Sequence, residues 1–461
     1  MRARMAIAGL FGAVALPAAA MDLSDAWGVY QTQGPTYLAS VHERQAGQEY
    51  KELGKAGLLP NISSTAYWKR VDGTSEQDNV LGNSVESDLE YDSKGAVVEL
   101  RQPLFNKQRM AEYRQGKQRT LFSDAVFDVK TQESAVSLAS RYFAVLLALE
   151  TIDLAKVKLN NLENQVKSAK RRYELGDGTV IDVDQASARR DLAQAELIEA
   201  EDNLLVARRL LQELLGVLPE EMSTLRTEFP TPPLEPPTLQ DWISDARANN
   251  PTIIARSRSL DIADQEVDRA KAGHWPTLDF VAAYNDTESD SVSTQNQTNK
   301  YGSVGVEFRM PIFTGGATSA QVRQASANRE LANDQLNSSR EEVLSGTTRE
   351  FRGVQSGEQR VRALETAVVS SERAQESARK GFQAGTSTNL DILNAEEQAF
   401  IARRDLLEAK LRYLLSRLRL AASVGSLGED DIQQANEYLG PSLPMHPSVD
   451  LGGEAPPMED R

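Results

Sequence analysis

Few residues of this sequence have types and spacing that could support chemistry. The most suggestive are Asp182 and Asp391, because each carboxylate closely follows a glycine-containing segment. Carboxylates held together could attract cations. However, Thr179-x-x-Asp182 and Thr388-x-x-Asp391 also fit a capping box at a helix start, with Asp where Glu is usual. Both interpretations stay open at this point.

Patterns typical of an enzyme are missing from the sequence. The three histidines, His42, His274 and His446, are too far apart to form a metal-spaced pair. We find no glycine-rich phosphate loop and no nucleophile elbow, and Asp182-x-Asp184 is too short for a calcium loop. We therefore expect no catalytic residue, no metal and no cofactor, and an exported hydrolase would lack a site.

The chain start predicts a signal peptide over residues 1–20. Arg2 and Arg4 precede a short apolar run, and small residues at 18–20 offer a cleavage site. The alternative is a buried N-terminal helix.

The composition excludes two kinds of feature and one class of partner. The chain has no cysteine, so disulfides and a lipidated cysteine are excluded. Its formal charge of −16 argues against nucleic acid as a partner.

Internal similarity indicates a tandem duplication. A shift of 208 residues places 98–105 on 306–313, and a shift of 209 places 176–182 on 385–391. We predict repeat 1 at 21–218 and repeat 2 at 239–427, each with a helix, two strands and a long helical hairpin. The proline-rich residues 219–238 read as a connector, and the end of the chain from Pro441 as a disordered tail.

Long helices follow from the proline distribution and from an apolar heptad repeat. Proline is absent from 104–218 and from 312–440. A helix from about Lys107 to Tyr173 would be ~100 Å long, and the breaks at 176–179 and 384–387 contain glycine. The spacing is typical of coiled coils, and in the first hairpin it involves Ile152, Ala155, Leu159, Leu162, Val166, Ala169 and Tyr173 in one helix and Ala193, Leu197, Ala200, Leu204, Ala207, Leu211 and Leu214 in the next.

Four segments alternate with a period of two, at 62–68, 96–101, 278–284 and 304–310. Strands of roughly ten residues suit a tilted membrane-crossing strand. The polar residues 71–95 and 286–299 between them are expected to be solvent loops. A soluble sandwich is the alternative. Four strands cannot close a membrane barrel alone, so two, three or four chains would be needed, and this arithmetic does not choose among them.

The chain resembles the TolC family of outer-membrane channel proteins over about residues 22–427. The resemblance lies in the duplication, in Gly57-x-x-Pro60 and Gly273-x-x-Pro276 before the strands, in Pro103 and Pro311 near their ends, and in the turn motifs at 172–176 and 381–385. It implies an α+β membrane protein with two tandem repeats per chain. Three chains would form a 12-stranded outer-membrane β-barrel continued by a long α-helical barrel, with an equatorial domain from 219–237 and the segment after Gly425.

The same resemblance implies a periplasmic entrance at the hairpin turns. Three copies of Asp391 would form a carboxylate ring that favours cations. This sequence has Phe382 and Ser387 where the family's best-known pattern has a tyrosine and an arginine, so the gate is expected to be held differently. Candidate entrance residues are Asp391, Asp182, Phe382, Ser387 and Asn394. Candidate adaptor contacts, or else plain turn residues, are Gly176, Asp177, Gly178, Thr179, Gly385, Thr386 and Ser387.

The leading hypothesis is a passive export channel in a Gram-negative outer membrane. The family would pair it with a periplasmic adaptor and an inner-membrane ABC or proton-driven transporter, and pass secreted protein (type I secretion) or small toxic compounds. Overall likeness favours protein secretion. The alternative is a periplasmic adaptor or scaffolding coiled coil, but such a protein typically has one helical hairpin, whereas this sequence predicts two.

Overall fold

The computed structural model describes residues 21–78, 84–219, 221–291 and 294–444. The predicted signal peptide at 1–20 lies outside the described residues. The same order of elements, two helices, two strands and two long helices, occurs twice. In chain order the elements are α1 (Leu23–Gln33), α2 (Pro35–Ala56), β1 (Asn61–Asp78), β2 (Ser84–Phe105), α3 (Lys107–Glu174), α4 (Val180–Leu215), β3 (Glu221–Leu225), α5 (Leu239–Asn249), α6 (Pro251–Ala272), β4 (Thr277–Ser291), β5 (Thr294–Arg309), α7 (Ala317–Gln383), α8 (Asn389–Val424), α9 (Glu429–Asn436) and β6 (Leu439–Pro444).

Two helices precede each strand pair, where the sequence predicted one. The breaks fall at Gly34 and Asn250, which are both extended, with ψ of 115° and 122°. Each residue precedes a proline, and the proline ring disfavours helical backbone in the residue before it. The apolar pattern continues across the break, which is why periodicity alone did not detect it.

One compact unit comprises the described residues up to 41, 128–250 and from 342 onward. Its core holds fully buried aromatic residues such as Tyr30, Tyr142 and Tyr413. The Tyr142 hydroxyl donates to the Met21 carbonyl at 3.0 Å. Strands β3 and β6 pair antiparallel, so the connector and the end of the chain form one small sheet. Residues 441–444 were predicted to begin the disordered tail, but backbone pairing with β3 orders them; residues 445–461 lie outside the described residues.

The long helices of this unit use the predicted apolar spacing. All seven predicted positions of α4 are buried, from Ala193 to Leu214. In α3 five of the seven are buried, Leu159 is partly buried and Tyr173 is 53% exposed at the helix end. The narrow apolar stripe therefore holds the hairpin together, as expected for coiled-coil packing.

One stretch of α3 is also long and apolar enough to cross a membrane by length and composition. However, 56% of that stretch is buried, as in a core helix.

The second compact unit comprises residues 42–127 and 251–341 and contains a four-stranded antiparallel sheet in the order β1-β2-β4-β5. The register pairs Ile62 with Leu100 and Val98 with Tyr284. These apolar side chains lie on one face, and alternate positions carry charge on the other, where Arg101 contacts both Asp279 and Glu307 at 3.1 Å. Many residues on the apolar face are exposed, Val304 at 74% and Phe308 at 63%.

The strands are much longer than the predicted ten residues, at 18, 22, 15 and 16 residues. The predicted solvent loops at 71–95 and 286–299 were wrong, because most of both segments continues the ladder; residues 79–83 and 292–293 lie outside the described residues. Cross-strand ion pairs such as Lys94–Glu288 (3.0 Å) and Lys300–Asp286 (3.1 Å) line these extensions. Where both faces of a sheet are polar, no alternation exists for sequence analysis to detect.

Candidate functional site

The two helical hairpins turn in the same way. After α3, the Asp177 amide donates to the Arg172 carbonyl at 2.9 Å, and after α7 the Thr386 amide donates to the Gly381 carbonyl at 2.8 Å. Gly176 and Gly385 have φ of +82° and +75°. These are the left-handed values that favour glycine and allow a helix to end within one residue. The predicted glycine turns are therefore present, and their backbone bonds are made within each turn.

Both candidate carboxylates cap a helix. The Thr179 amide donates to Asp182 Oδ2 at 3.1 Å while the Asp182 amide donates to Thr179 Oγ1 at 3.2 Å. The equivalent distances for Thr388 and Asp391 are 2.7 Å and 3.3 Å. The hydrogen bond from the Thr388 backbone, with a second from its hydroxyl, lowers the pKa of Asp391. The capping alternative is thus realised at both sites, and Asp391 stays charged and exposed.

Phe382 and Ser387 lie around the second turn in different roles. The Arg172 guanidinium stacks 4.3 Å from the centre of the Phe382 ring, which joins α3 to α7 by a cation–π contact. The Ser387 amide donates to the Gly381 carbonyl at 3.2 Å, and a Cβ on Gly381 would collide with the Ser387 side chain. Phe382 therefore contacts the other hairpin, whereas Ser387 packs within its own turn.

Asn394 makes a second link between the hairpins. Its Oδ1 accepts a hydrogen bond from Arg189 Nη2 at 3.2 Å, so the link runs from α8 to α4. Arg189 also lies 4.0 Å from Glu397. Asn394, a candidate entrance residue, is thus a neutral side chain that accepts a hydrogen bond from an arginine of the other hairpin.

A charged cluster, which we call the hairpin clasp, consists of Lys158, Glu196, Glu396 and Glu397. Lys158 Nζ lies 2.6 Å from Glu196 and 2.8 Å from Glu397, and its side chain is only 11% exposed. Glu396, 10% exposed, accepts from Arg379 at 2.8 Å and from the Gln165 amide. Because the Lys158 ammonium and the Glu396 carboxylate are largely buried, their ion pairs are screened less by salt than pairs between two exposed groups. The clasp therefore connects helices of both hairpins by charge.

The hairpin clasp and the contact of Arg172 with Phe382 were not identified from the sequence. A detectable signal existed, since Lys158 and Arg172 each immediately precede a seam residue of α3, where charged residues commonly bridge neighbouring helices. Their partners on the second hairpin, Glu397 and Phe382, lie more than two hundred residues away, and no sequence spacing indicates that pairing. Among the described residues, no group of three or more His, Cys, Asp or Glu side chains could hold a metal ion.

Comparison with known proteins gives concordant matches. The family sequence model described as "Outer membrane efflux protein" matches residues 31–217 and 242–426. The chain is 33% identical to alkaline protease secretion protein AprF of Pseudomonas aeruginosa over 439 residues, covering 94% of this chain and 91% of that protein. It is 32% identical to proteases secretion protein PrtF of Dickeya chrysanthemi, covering 90% and 91%.

More distant matches include outer membrane protein TolC of Escherichia coli, at 24% identity over 91% of this chain and 86% of that protein. Among solved structures, the outer membrane protein VceC of Vibrio cholerae superposes with a TM-score of 0.73 at 19% identity, covering 87% of this chain and 96% of that chain. At this identity the structural likeness concerns the fold alone.

Proposed function

Because this chain belongs to the outer membrane efflux protein family, we propose that it forms the outer-membrane duct through which a Gram-negative cell secretes protein. As a member of that family it is an outer-membrane channel for export that extends into the periplasm. The type of cargo, the oligomeric state, the partners and the gate are parts of the proposal. We propose that transport is passive and that the chain catalyses no reaction.

The observation that carries the duct is the four-stranded sheet with two open edges. Within the described residues, the outer edges of β1 and β5 have no partner strand, and the apolar face is exposed. An open edge in lipid would leave backbone groups unpaired at a cost of several kcal/mol each. We propose that β1 of one chain pairs with β5 of the next, and that three chains close a 12-stranded barrel continued by an α-helical barrel, as the TolC resemblance implied.

The relatives support a protein cargo. The two at 32–33% identity are named for the secretion of proteases, whereas the TolC match is at 24%. We therefore assign protein, delivered by type I secretion, as the cargo in preference to small toxic compounds.

The hairpin turns are the proposed contact with a periplasmic adaptor, and through it with an inner-membrane ABC or proton-driven transporter. Gly176, Asp177, Gly385 and Thr386 are exposed. Because the turn backbone bonds internally, an adaptor can dock there without rebuilding either helix. The contact residues of the proposal are Gly176, Asp177, Gly178, Thr179, Gly385, Thr386 and Ser387.

The proposed gate combines the entrance carboxylates with links between the hairpins. Three exposed copies of Asp391, with Asp182 beside its own turn, would favour cations. In the proposal, a tyrosine–arginine latch is replaced by three links between the hairpins: the Arg172–Phe382 stack, the Arg189–Asn394 bond and the hairpin clasp.

In planar bilayers Asp391→Ala should weaken cation preference relative to Asp184→Ala, which removes an exposed carboxylate two residues beyond Asp182. Equal selectivity in the two variants would remove Asp391 from the pore.

A secretion assay tests the cargo. Disrupting the gene should remove specific proteins from the culture medium, and expression of the intact chain should restore them, while susceptibility to small toxic compounds stays unchanged. Increased susceptibility with normal extracellular protein would instead assign efflux of small compounds. Recovery of the chain as a soluble monomer without detergent would contradict the duct itself.

A further inference from the structure

A groove in the second unit lies where strands meet helices. It is next to the start of α3, two residues after β2 ends at Phe105, and beside Trp275, two residues before β4 begins. Its volume is about 580 Å³, which is within the range of small-molecule sites. The groove is thus at the end of the sheet from which the long helices leave.

The groove is positively charged in a strongly acidic chain. Lys107, Arg114 and Lys271 line it together with a single carboxylate, Asp268, although the whole chain carries −16. Asp268 lies 3.6 Å from Arg114. No ion pair within the described part of the chain joins either lysine to a carboxylate. Two ammonium groups therefore remain available for an anion.

Apolar and aromatic side chains share the groove with these cations. Trp275 is 46% exposed and Met110 is 42% exposed. Lys107 Nζ lies 2.9 Å from the centre of the Trp275 ring, so the indole holds the ammonium at the groove wall. An exposed tryptophan beside lysines is the combination found at membrane–water interfaces, where the ring sits at headgroup level and the cations meet phosphate.

We propose that this groove binds the headgroup of an anionic glycerophospholipid, such as phosphatidylglycerol, from the periplasmic leaflet of the outer membrane. Lys107 and Lys271 contact the phosphodiester, and Trp275 and Met110 pack against the glycerol and the upper acyl chains. The placement rests on the proposed barrel, in which this end of the sheet faces the periplasm. The groove would then fix the depth of the channel in its membrane.

A binding titration tests the proposal with the full chain purified in detergent. Short-chain phosphatidylglycerol is added and the bound lipid is counted by native mass spectrometry, with short-chain phosphatidylcholine, the lipid A disaccharide bisphosphate and inorganic phosphate as separate arms. Phosphatidylglycerol should bind preferentially. A lysine near a membrane surface contributes about a fivefold change in affinity, so the double variant Lys107→Gln/Lys271→Gln should bind about 30-fold more weakly.

Matched variants distinguish a site from general charge. Lys167→Gln removes an exposed lysine of α3 outside the groove and should leave the affinity unchanged, and Trp275→Ala should weaken binding while every lysine is retained. The proposal is overturned if the double variant binds as tightly as the parent, if phosphatidylcholine binds equally well, or if lipid A or inorganic phosphate competes as well as phosphatidylglycerol. Flotation with vesicles scores membrane insertion separately, so a failed barrel and a failed lipid site give different results.

Discussion

The helical hairpins and the four-stranded sheet differ in whether their apolar side chains and polar groups find partners within the chain. In the hairpins the apolar seam is buried within the chain, and charged groups such as Lys158 and Glu396 find partners in the same chain. In the sheet, Val306 and Phe308 are 60% and 63% exposed, and the described outer edges lack partner strands. The hairpins carry their own core, whereas in the proposed barrel lipid and the strands of neighbouring chains would complete the sheet. Substitutions in the two regions should therefore lower the stability of the protein under different conditions.

The largest expected effect is on the apolar face of the sheet. Val306→Arg should reduce the free energy of folding into vesicles by about 2–4 kcal/mol per copy, because a charge would enter the hydrocarbon region. Urea titration of the inserted protein measures this. Ser303→Arg is the matched control, since Ser303 lies on the opposite face of the same strand. Equal losses for the two variants would contradict the assignment of lipid to the apolar face alone.

A smaller effect is expected in the hairpin clasp. Lys158→Ala leaves Glu397 without its ammonium partner and should lower the free energy of unfolding by about 2 kcal/mol, as for a hydrogen bond to a charged group. Denaturant unfolding followed by circular dichroism gives the value. The exposed Lys156→Ala serves as control, and conductance should rise in the first variant alone if the clasp holds the gate. If Lys158→Ala unfolds like the control, the clasp does not stabilise the hairpins.

The helix caps should contribute less. Thr179→Ala and Thr388→Ala each remove the hydroxyl that accepts from the third residue of the helix, at a cost of about 1 kcal/mol. Thermal unfolding measures the loss. The serine variants Thr179→Ser and Thr388→Ser keep the hydroxyl, so the difference in melting temperature between the alanine and serine variants isolates that hydrogen bond. Similar melting temperatures for the alanine and serine variants would assign these threonines no capping role.

The smallest effect is the dependence of the second hairpin on pH. Hydrogen bonds from Thr388 lower the pKa of Asp391 in the folded chain below its usual 3.8. The stabilisation is therefore complete above about pH 4 and is lost as the pH falls through the folded value. Asp391→Asn should remove this component of the acid-dependent loss of stability, which acid titration of the two proteins would detect. Identical acid titrations would show that the carboxylate charge is not used in capping.

The sequence predicts the hairpins better than the sheet for a physical reason. Helix periodicity, proline absence and the glycine turns are local, so α3 was expected from about Lys107 to Tyr173 and is observed over Lys107–Glu174. The ladder beyond Trp68 has polar residues on both faces, so alternation no longer marks it as strand. The breaks at Gly34 and Asn250 depend on the following proline and interrupt an otherwise continuous apolar pattern.

The candidate site also has a part that the sequence predicts and a part that it does not. Thr179 with Asp182 and Thr388 with Asp391 are close in sequence, so the capping boxes could be predicted. The contacts of Phe382 with Arg172 and of Asn394 with Arg189 join distant segments, and their geometry depends on how the two hairpins pack. Long-range pairing of this kind cannot be inferred from one sequence without a template.

The internal bonding of the turns has a consequence for how such a protein can diversify. Gly176 and Gly385 set the backbone path, and the threonine–aspartate pairs restart each helix, so the exposed side chains between them make little contribution to stability. Leu175 and Asp177 can then be exchanged in evolution with the hairpins intact, whereas the Thr386 hydroxyl donates to the Gly381 carbonyl at 3.1 Å and helps to hold its own turn. A descendant could acquire a different docking specificity through two or three substitutions, with no compensating change in the rest of the chain.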